Sequence, residues 1–263
     1  WNYGLTLALS DNTSKITRYL NPTGAIDQYY VGKDIGEIWA YETVGIFQTE
    51  ADVAASANQD QLGAAWKAGD MQYADLNKDD KITPGVRTLN DHGDLRIVGN
   101  TTPRYSFGIN GDISYKGIGL NVFFQGVMKR DYLPDNGNWN AFYPYNDGHL
   151  EKYAISESWT ETNRDAYFAA PTFGYNTKKN IHPQSRYVQN ASYIRLKNLS
   201  VSYQFPVKLI QKVRLNGAQI YFAGMNLWEA TKMHKPLDPE SVFTVTQEYY
   251  LQRIFTLGVK LNF

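Results

Sequence analysis

The chain has 263 residues, with 26 Lys and Arg balanced by 26 Asp and Glu, and no cysteine. These counts exclude a general nucleic-acid binder, a polybasic membrane-surface protein, a disulfide scaffold and a thiolate zinc site. Hydrophobic residues at 43% exclude intrinsic disorder, and no uncharged stretch reaches the ~18 apolar residues of a membrane-spanning helix, whereas 20 Tyr and 21 Gly suit a β-protein.

The first segment sets Trp1, Tyr3, Leu5, Leu7 and Leu9 against Asn2, Gly4, Thr6, Ala8 and Ser10, a period of two that predicts a strand with one apolar face. It starts without an initiator Met or a basic-then-apolar leader, so a piece of a longer protein is expected. Residues 35–47 read as one short strand or hairpin, and residues 51–68, rich in Ala and Gln without a β-branched run, as a short helix. Asp75, Asn77 and Asp79 place side-chain oxygens at positions 1, 3 and 5 of a loop, with the Lys81 carbonyl at position 7, as in the first half of a calcium-binding loop. Asp80 stands where that loop usually has Gly and Val86 where it has a bidentate acid. The loop is therefore a candidate calcium site completed by a distant acid such as Asp91 or Asp94, with an Asx-rich turn as the alternative. No other cofactor is implied.

Further on, Tyr105, Phe107, Ile109 and Ile113 alternate with Arg104, Ser106, Gly108, Asn110 and Asp112. Ile118, Leu120, Val122 and Phe124 do the same against Gly119, Asn121, Phe123 and Gln125. Residues 129–187 form a long loop in which Tyr132, Trp139, Phe142, Tyr143, Tyr145, Tyr153 and Trp159 stand among Asn, Asp and Gly. Of these, Trp139, Tyr143, Tyr145 and Trp159 are candidates for stacking on a sugar or packing on a partner; the alternative is that the rings pack on one another. Leu199, Val201, Tyr203 and Phe205 form another strand, Ala218, Ile220 and Phe222 a shorter one, and Phe255, Leu257, Val259, Leu261 and Phe263 the last. The four histidines are isolated from one another, and no nucleophile elbow, phosphate loop or dinucleotide fingerprint is present, so no catalytic residue is assigned.

Alternation alone fits both a soluble β-sandwich and a membrane barrel. The connections separate them: turns after Tyr115 and Phe205 are short, while those at 11–102, 129–187 and 229–248 are long, in strict alternation, as in outer-membrane barrels. Aromatics also collect at strand ends (Trp1, Tyr105, Tyr115, Tyr203, Phe205, Tyr249, Tyr250, Phe263), where interfacial girdles belong. The expected fold is an all-β transmembrane antiparallel barrel segment of about six strands with long extracellular loops.

Gly93-Asp94-Leu95-Arg96-Ile97-Val98-Gly99-Asn100-Thr101-Thr102-Pro103-Arg104-Tyr105, Tyr193-Ile194-Arg195-Leu196-Lys197-Asn198-Leu199, Gly224-Met225-Asn226-Leu227 and Asp238-Pro239-Glu240 together resemble the C-terminal portion of the SusC/RagA family of TonB-dependent outer-membrane transporters. Met225 and Asp80 depart from the family pattern. The resemblance implies a barrel of about 22 strands, with the plug and the segment that meets the TonB complex absent from this chain. It further implies the outer membrane of a Gram-negative, Bacteroidetes-type bacterium, a SusD-like surface lipoprotein as partner, and import of a glycan oligosaccharide or oligopeptide. The terminal Phe263 resembles the aromatic assembly signal of outer-membrane barrels. The rival reading is a secreted β-sandwich carbohydrate-binding protein or glycoside hydrolase.

Overall fold

The computed structural model describes residues 1–134, 142–143, 152–172, 179–234, 237–243 and 251–263. Its elements in chain order are β1 (Asn2–Ser10), β2 (Glu37–Tyr41), β3 (Thr43–Ile46), α1 (Glu50–Ala55), β4 (Met71–Tyr73), β5 (Leu95–Asn100), β6 (Arg104–Tyr115), β7 (Ile118–Lys129) and β8 (Asp131–Tyr132). They continue with α2 (Lys152–Glu157), β9 (Gln189–Asn190), β10 (Tyr193–Gln204), α3 (Val207–Ile210), β11 (Gly217–Thr231) and β12 (Ile254–Asn262). Two units emerge: Trp1–Asn12, Pro103–Arg130 and Asn190–Phe263 make one, Thr13–Thr102 and Asp131–Gln189 the other.

In the first unit, period two becomes a six-stranded antiparallel sheet in the order β1-β6-β7-β10-β11-β12. Tyr3, Ile113, Leu120, Val201, Phe222 and Leu257 lie directly opposite one another across all six strands, one apolar residue from each. One step along, Gly4, Asp112, Asn121, Ser200, Ala223 and Thr256 form the matching row on the other face. The apolar face is uncovered: Leu5, Leu7, Leu257 and Val259 expose 67%, 68%, 75% and 63% of their surface. Such a continuous apolar surface on strands of 9 to 15 residues is stable against lipid and not against water. The sandwich alternative is thereby corrected. A sandwich buries its apolar face against a second sheet, and the other sheets among the described residues have two strands each. No helix of the described residues is long and apolar enough to cross a membrane. The fold is that of a segment of a transmembrane β-barrel, an open sheet with β1 and β12 at its edges.

The two short connections share one end of the sheet. Lys116 and Gly117, at φ 46° and 86°, form a two-residue hairpin of the primed kind, and a side chain at Gly117 would meet the Gln204 carbonyl oxygen at 2.5 Å. Pro206 opens α3, and Arg214 at φ 60° turns the chain back into β11. At this end Trp1 stacks on Tyr115 (centroids 4.1 Å apart) and Tyr203 meets Phe205 edge-on (5.0 Å). Tyr249 and Tyr250 lie outside the described residues.

In the second unit, residues 35–47 form two strands that do not pair with each other. β2 pairs with β5 and β3 with β4, because the chain changes partner at Glu42, whose carbonyl accepts from Ala74 N (2.9 Å). The helix expected over 51–68 is only α1. It starts at a capping box, where Thr49 Oγ1 accepts from Asp52 N and Asp52 Oδ2 from Thr49 N, and it stops at Ser56. Beyond that, Asn58 is drawn into pairing with the 80–82 segment, donating to Asp80 O (2.9 Å) and accepting from Ile82 N (2.8 Å), which helical dihedrals would forbid. Apart from a short turn of 3₁₀ helix at Asp60–Leu62, residues 56–68 form no helix.

Candidate functional site

Two charged clusters organise the chain, one in each unit. On the polar face of the six-stranded sheet, Arg195 sits between Gln125 of β7 and Glu229 of β11. Its side chain is 2% exposed and binds three carboxylates: Glu229, Asp238 (Nη2 to Oδ2, 2.6 Å) and Glu240 (Nη1 to Oε2, 2.5 Å). Lys197 is the extra residue of a β-bulge between Leu196 and Asn198, and this re-aims its Nζ to Glu240 Oε1 at 3.0 Å. Asp238 also shapes the turn that carries these acids, its Oδ1 accepting from Glu240 N (2.9 Å) and Ser241 N (3.1 Å). The Arg195 and Asp238-Pro239-Glu240 motifs of the sequence are thus one structure, a clasp that fastens the segment after β11 to the sheet. Nothing in their local sequence announces the partnership.

The second unit encloses an ion pair. Asp70 is fully buried; its Oδ2 accepts from Lys179 Nζ (2.6 Å) and Lys67 N (2.9 Å), and its Oδ1 from Asn180 Nδ2 (2.9 Å). Tyr73 OH donates to Lys179 O (2.8 Å) and accepts from Gln184 Nε2 (3.1 Å); burial pushes its phenol well above the ordinary tyrosine range. Gln59 completes the network, donating to Met71 O and accepting from Tyr73 N.

His182 lies beside this network with Nε2 2.6 Å from Leu62 O, and burial holds its pKa below 6.5 despite that hydrogen bond. A histidine kept neutral by the fold leaves the unfolded chain binding more protons, so the stability it contributes is complete above pH ~6.5 and declines as pH falls below that. Hydrogen exchange over 59–73 and 179–187, corrected for intrinsic rates, should therefore speed up between pH 7.5 and 5. The His182→Gln variant should lose that dependence. An equal acid response in both proteins would clear His182 of the role.

Among the residues singled out from the sequence, Tyr143 and Trp159 are buried, 5% and 8% exposed, so neither offers a free ring face. Tyr143 meets Phe142 at 4.9 Å and Tyr187 at 5.0 Å, and Phe142 meets Phe168 at 5.4 Å, an edge-to-face cluster of the self-packing kind. Trp159 lies over Gly69 and donates Nε1 to Gln48 Oε1 at 3.2 Å. Trp139 and Tyr145 lie outside the described residues.

The 75–82 loop has Lys78 and Asp80 in left-handed conformation, at φ 64° and 60°. Asp75 accepts from the backbone N–H groups of Lys78, Asp79 and Asp80, Asn77 from Asp79, and Asp79 Oδ1 from Lys81 N. Asp94 spans the loop, accepting from Leu76 N and Thr83 N, both at 2.7 Å, and so serves as its structural brace. These bonds are those of an Asx-rich turn. No group of three or more His, Asp or Glu among the described residues is placed to hold a metal ion.

No family model matches the chain. It is 27% identical over 249 residues to TonB-dependent receptor P3 of Formosa agariphila, covering 88% of this chain and 22% of that receptor. To TonB-dependent receptor P26 of the same organism it is 25% identical over 290 residues, covering all of this chain and 27% of the receptor. The chain thus spans about a quarter of the length of these relatives. Among solved structures it resembles the RagAB peptide importer in the 'open-open' state (TM-score 0.65, 22% identity, 100% of this chain and 27% of that one). The 'closed-closed' state of that importer gives a TM-score of 0.61 at 21% identity, covering 99% of this chain and 27% of that one. Sequence relatives and the one-sided sheet agree: the chain has the fold of a β-barrel segment and is similar in sequence to TonB-dependent receptors.

Proposed function

We propose that the whole protein to which this chain contributes imports an oligosaccharide or oligopeptide across the outer membrane, energised through TonB. A SusD-like lipoprotein would act as its surface partner. The observation that carries this reading is the sheet with two dissimilar faces, apolar toward lipid and polar toward a lumen, in a relative of TonB-dependent receptors. In this reading residues 11–102 and 129–187 face the cell exterior, and the polar row from Asp112 to Thr256 borders the path of the solute. No step of the transport requires chemistry by this chain. Deleting the gene should abolish growth on one polymeric nutrient that the parent strain uses; undiminished growth on all of them would refute import.

The same reading gives Phe263, 87% exposed at the end of β12, two roles, a lipid anchor and an assembly signal. Loss of one buried ring costs a barrel about 1.5–3 kcal/mol, too little to prevent accumulation. Phe263→Ala should nonetheless leave unassembled chain in the periplasm. Unchanged insertion rate and yield would remove the assembly role.

A further inference from the structure

The end of the six-stranded sheet that carries the two short connections has charge of one sign. Lys116 stands at the tip of the hairpin between β6 and β7, and Lys208, Lys212 and Arg214 lie in the connection between β10 and β11, all four exposed. Residues 1–10, 113–118, 203–218 and 254–263 contain no Asp or Glu, although the chain as a whole balances 26 cations against 26 acids. None of the four joins an ion pair among the described residues. We propose that the connection between β10 and β11 docks on the anionic headgroups of phospholipids in the adjoining leaflet, with Leu209 and Val213 entering the lipid beside them. The inference rests on the reading that the long loops face the cell exterior, which makes this the periplasmic leaflet.

The connection is built as an amphipathic turn. α3 continues through a 3₁₀ turn at Gln211–Val213, so residues four apart share a side: Lys208 with Lys212, and Leu209 with Val213. Ile210 is 6% exposed and roots the turn on the sheet, whereas Leu209 and Val213 beside it expose 57% and 66%. Backbone bonds fix the position: Leu215 N donates to Ile210 O (3.2 Å), Asn216 N to Asn262 O (2.8 Å) and Phe205 N to Ala218 O (2.9 Å). An apolar stripe bordered by cations suits the membrane interface, where the cations meet phosphate and the aliphatic groups enter the acyl boundary. The adjoining hairpin repeats the arrangement. There Trp1 stacks on Tyr115, and Lys116 Nζ lies 5.1 Å from the centre of the same tyrosine ring, so a cation accompanies this aromatic pair.

Continuity favours a membrane over a soluble acidic protein. Val201 and Tyr203 belong to the apolar face of β10 and lead within three residues to Pro206, where the turn opens. The bilayer that covers this face therefore reaches the turn without a break, and its headgroups supply the negative charge that the turn lacks.

The test uses the complete protein reconstituted in nanodiscs of phosphatidylcholine and phosphatidylglycerol, with one lipid or the other carrying a photo-activatable headgroup. Cross-links to the 206–216 peptide, read by mass spectrometry, should favour phosphatidylglycerol about fivefold or more at low salt, and the preference should shrink as ionic strength rises. Lys208→Gln combined with Lys212→Gln should bring the preference near unity, and because both lysines are exposed the fold should survive. Leu209→Ser combined with Val213→Ser should lower labelling by both lipids. Equal labelling by the two lipids in the parent, or a preference that survives both salt and the lysine substitutions, would overturn the proposal. Absence of lipid cross-links from the peptide would overturn it too, and leave the cations to a soluble acidic partner. The orientation fails separately: a membrane-impermeant thiol reagent that labels Lys212→Cys on intact cells would place the turn outside without touching the headgroup preference.

Discussion

Asp70→Ala should loosen the second unit by about 3–5 kcal/mol, the cost of leaving a buried charge without its partner. Lys179 is 2% exposed, and Asp70 is the one carboxylate that its ammonium touches among the described residues; after the substitution the ammonium would keep its hydrogen bond to Ala65 O and its place over the Trp66 ring, with no anion beside it. The loss extends further, because Asn180 Nδ2 and Lys67 N also donate to the same carboxylate and would lose their acceptor. A protein built on a large membrane barrel need not unfold globally, so the expected signal is local. Hydrogen exchange across 59–73 and 179–187 should accelerate by roughly two to four decades while β6 and β7 remain protected. The double variant Asp70→Leu with Lys179→Met should recover much of that protection, since well-packed apolar side chains replace buried ion pairs at little cost. Exchange unchanged in Asp70→Ala would mean that the pair contributes nothing to holding these segments together.

The membrane sheet was legible because every second residue of β6, β7, β10 and β12 must be apolar when one face meets lipid. That demand writes itself into the local sequence. Where the reading fell short, the backbone departs from regular alternation. The pattern suggested a strand only over 218–222, whereas β11 runs from Gly217 to Thr231. Asn226, at φ 53°, breaks the alternation halfway along it, close to the bulge that Lys197 makes in β10. The helix over 51–68 failed for a different reason. Ala-rich composition favours helix weakly, and the backbone pairing of Asn58 with residues 80–82 outweighed it. Neither charged cluster was visible as such. Arg195 and Asp238 are 43 residues apart and Asp70 and Lys179 109, so each meeting is a product of the fold and leaves no spacing to read. The resemblance to a known family flagged Arg195 and Asp238-Pro239-Glu240 as signals without indicating that they touch. For the loop aromatics, residue type alone does not distinguish a ring offered to a partner from one, like Tyr143, that closes a cluster.

Arg195→Ala should release the segment after β11 from the sheet at a cost of about 2–4 kcal/mol, less than at Asp70 because its acids are not all enclosed. Glu229 and Glu240 keep 39% and 27% of their side-chain surface in solvent, whereas Asp238 keeps 9%. Without the guanidinium, three carboxylates face one another with Lys197 as the remaining cation of the clasp. Repulsion would then add to the lost hydrogen bonds. Arg195→Lys should recover little, since a single ammonium cannot present the guanidinium fork that reaches Glu229, Asp238 and Glu240 at once. Burial of the arginine makes the clasp weakly sensitive to salt, unlike an exposed pair such as Arg87 with Asp27. Limited proteolysis of the complete protein in detergent is the direct measurement. Cleavage within 232–243 should appear in both variants at protease concentrations that leave the parent intact, and raising ionic strength in the parent should not reproduce it. Resistance of Arg195→Ala equal to that of the parent would show that the segment is held by other contacts, such as the Arg130 guanidinium stacked over the Phe243 ring, and that the acids merely gather around the arginine.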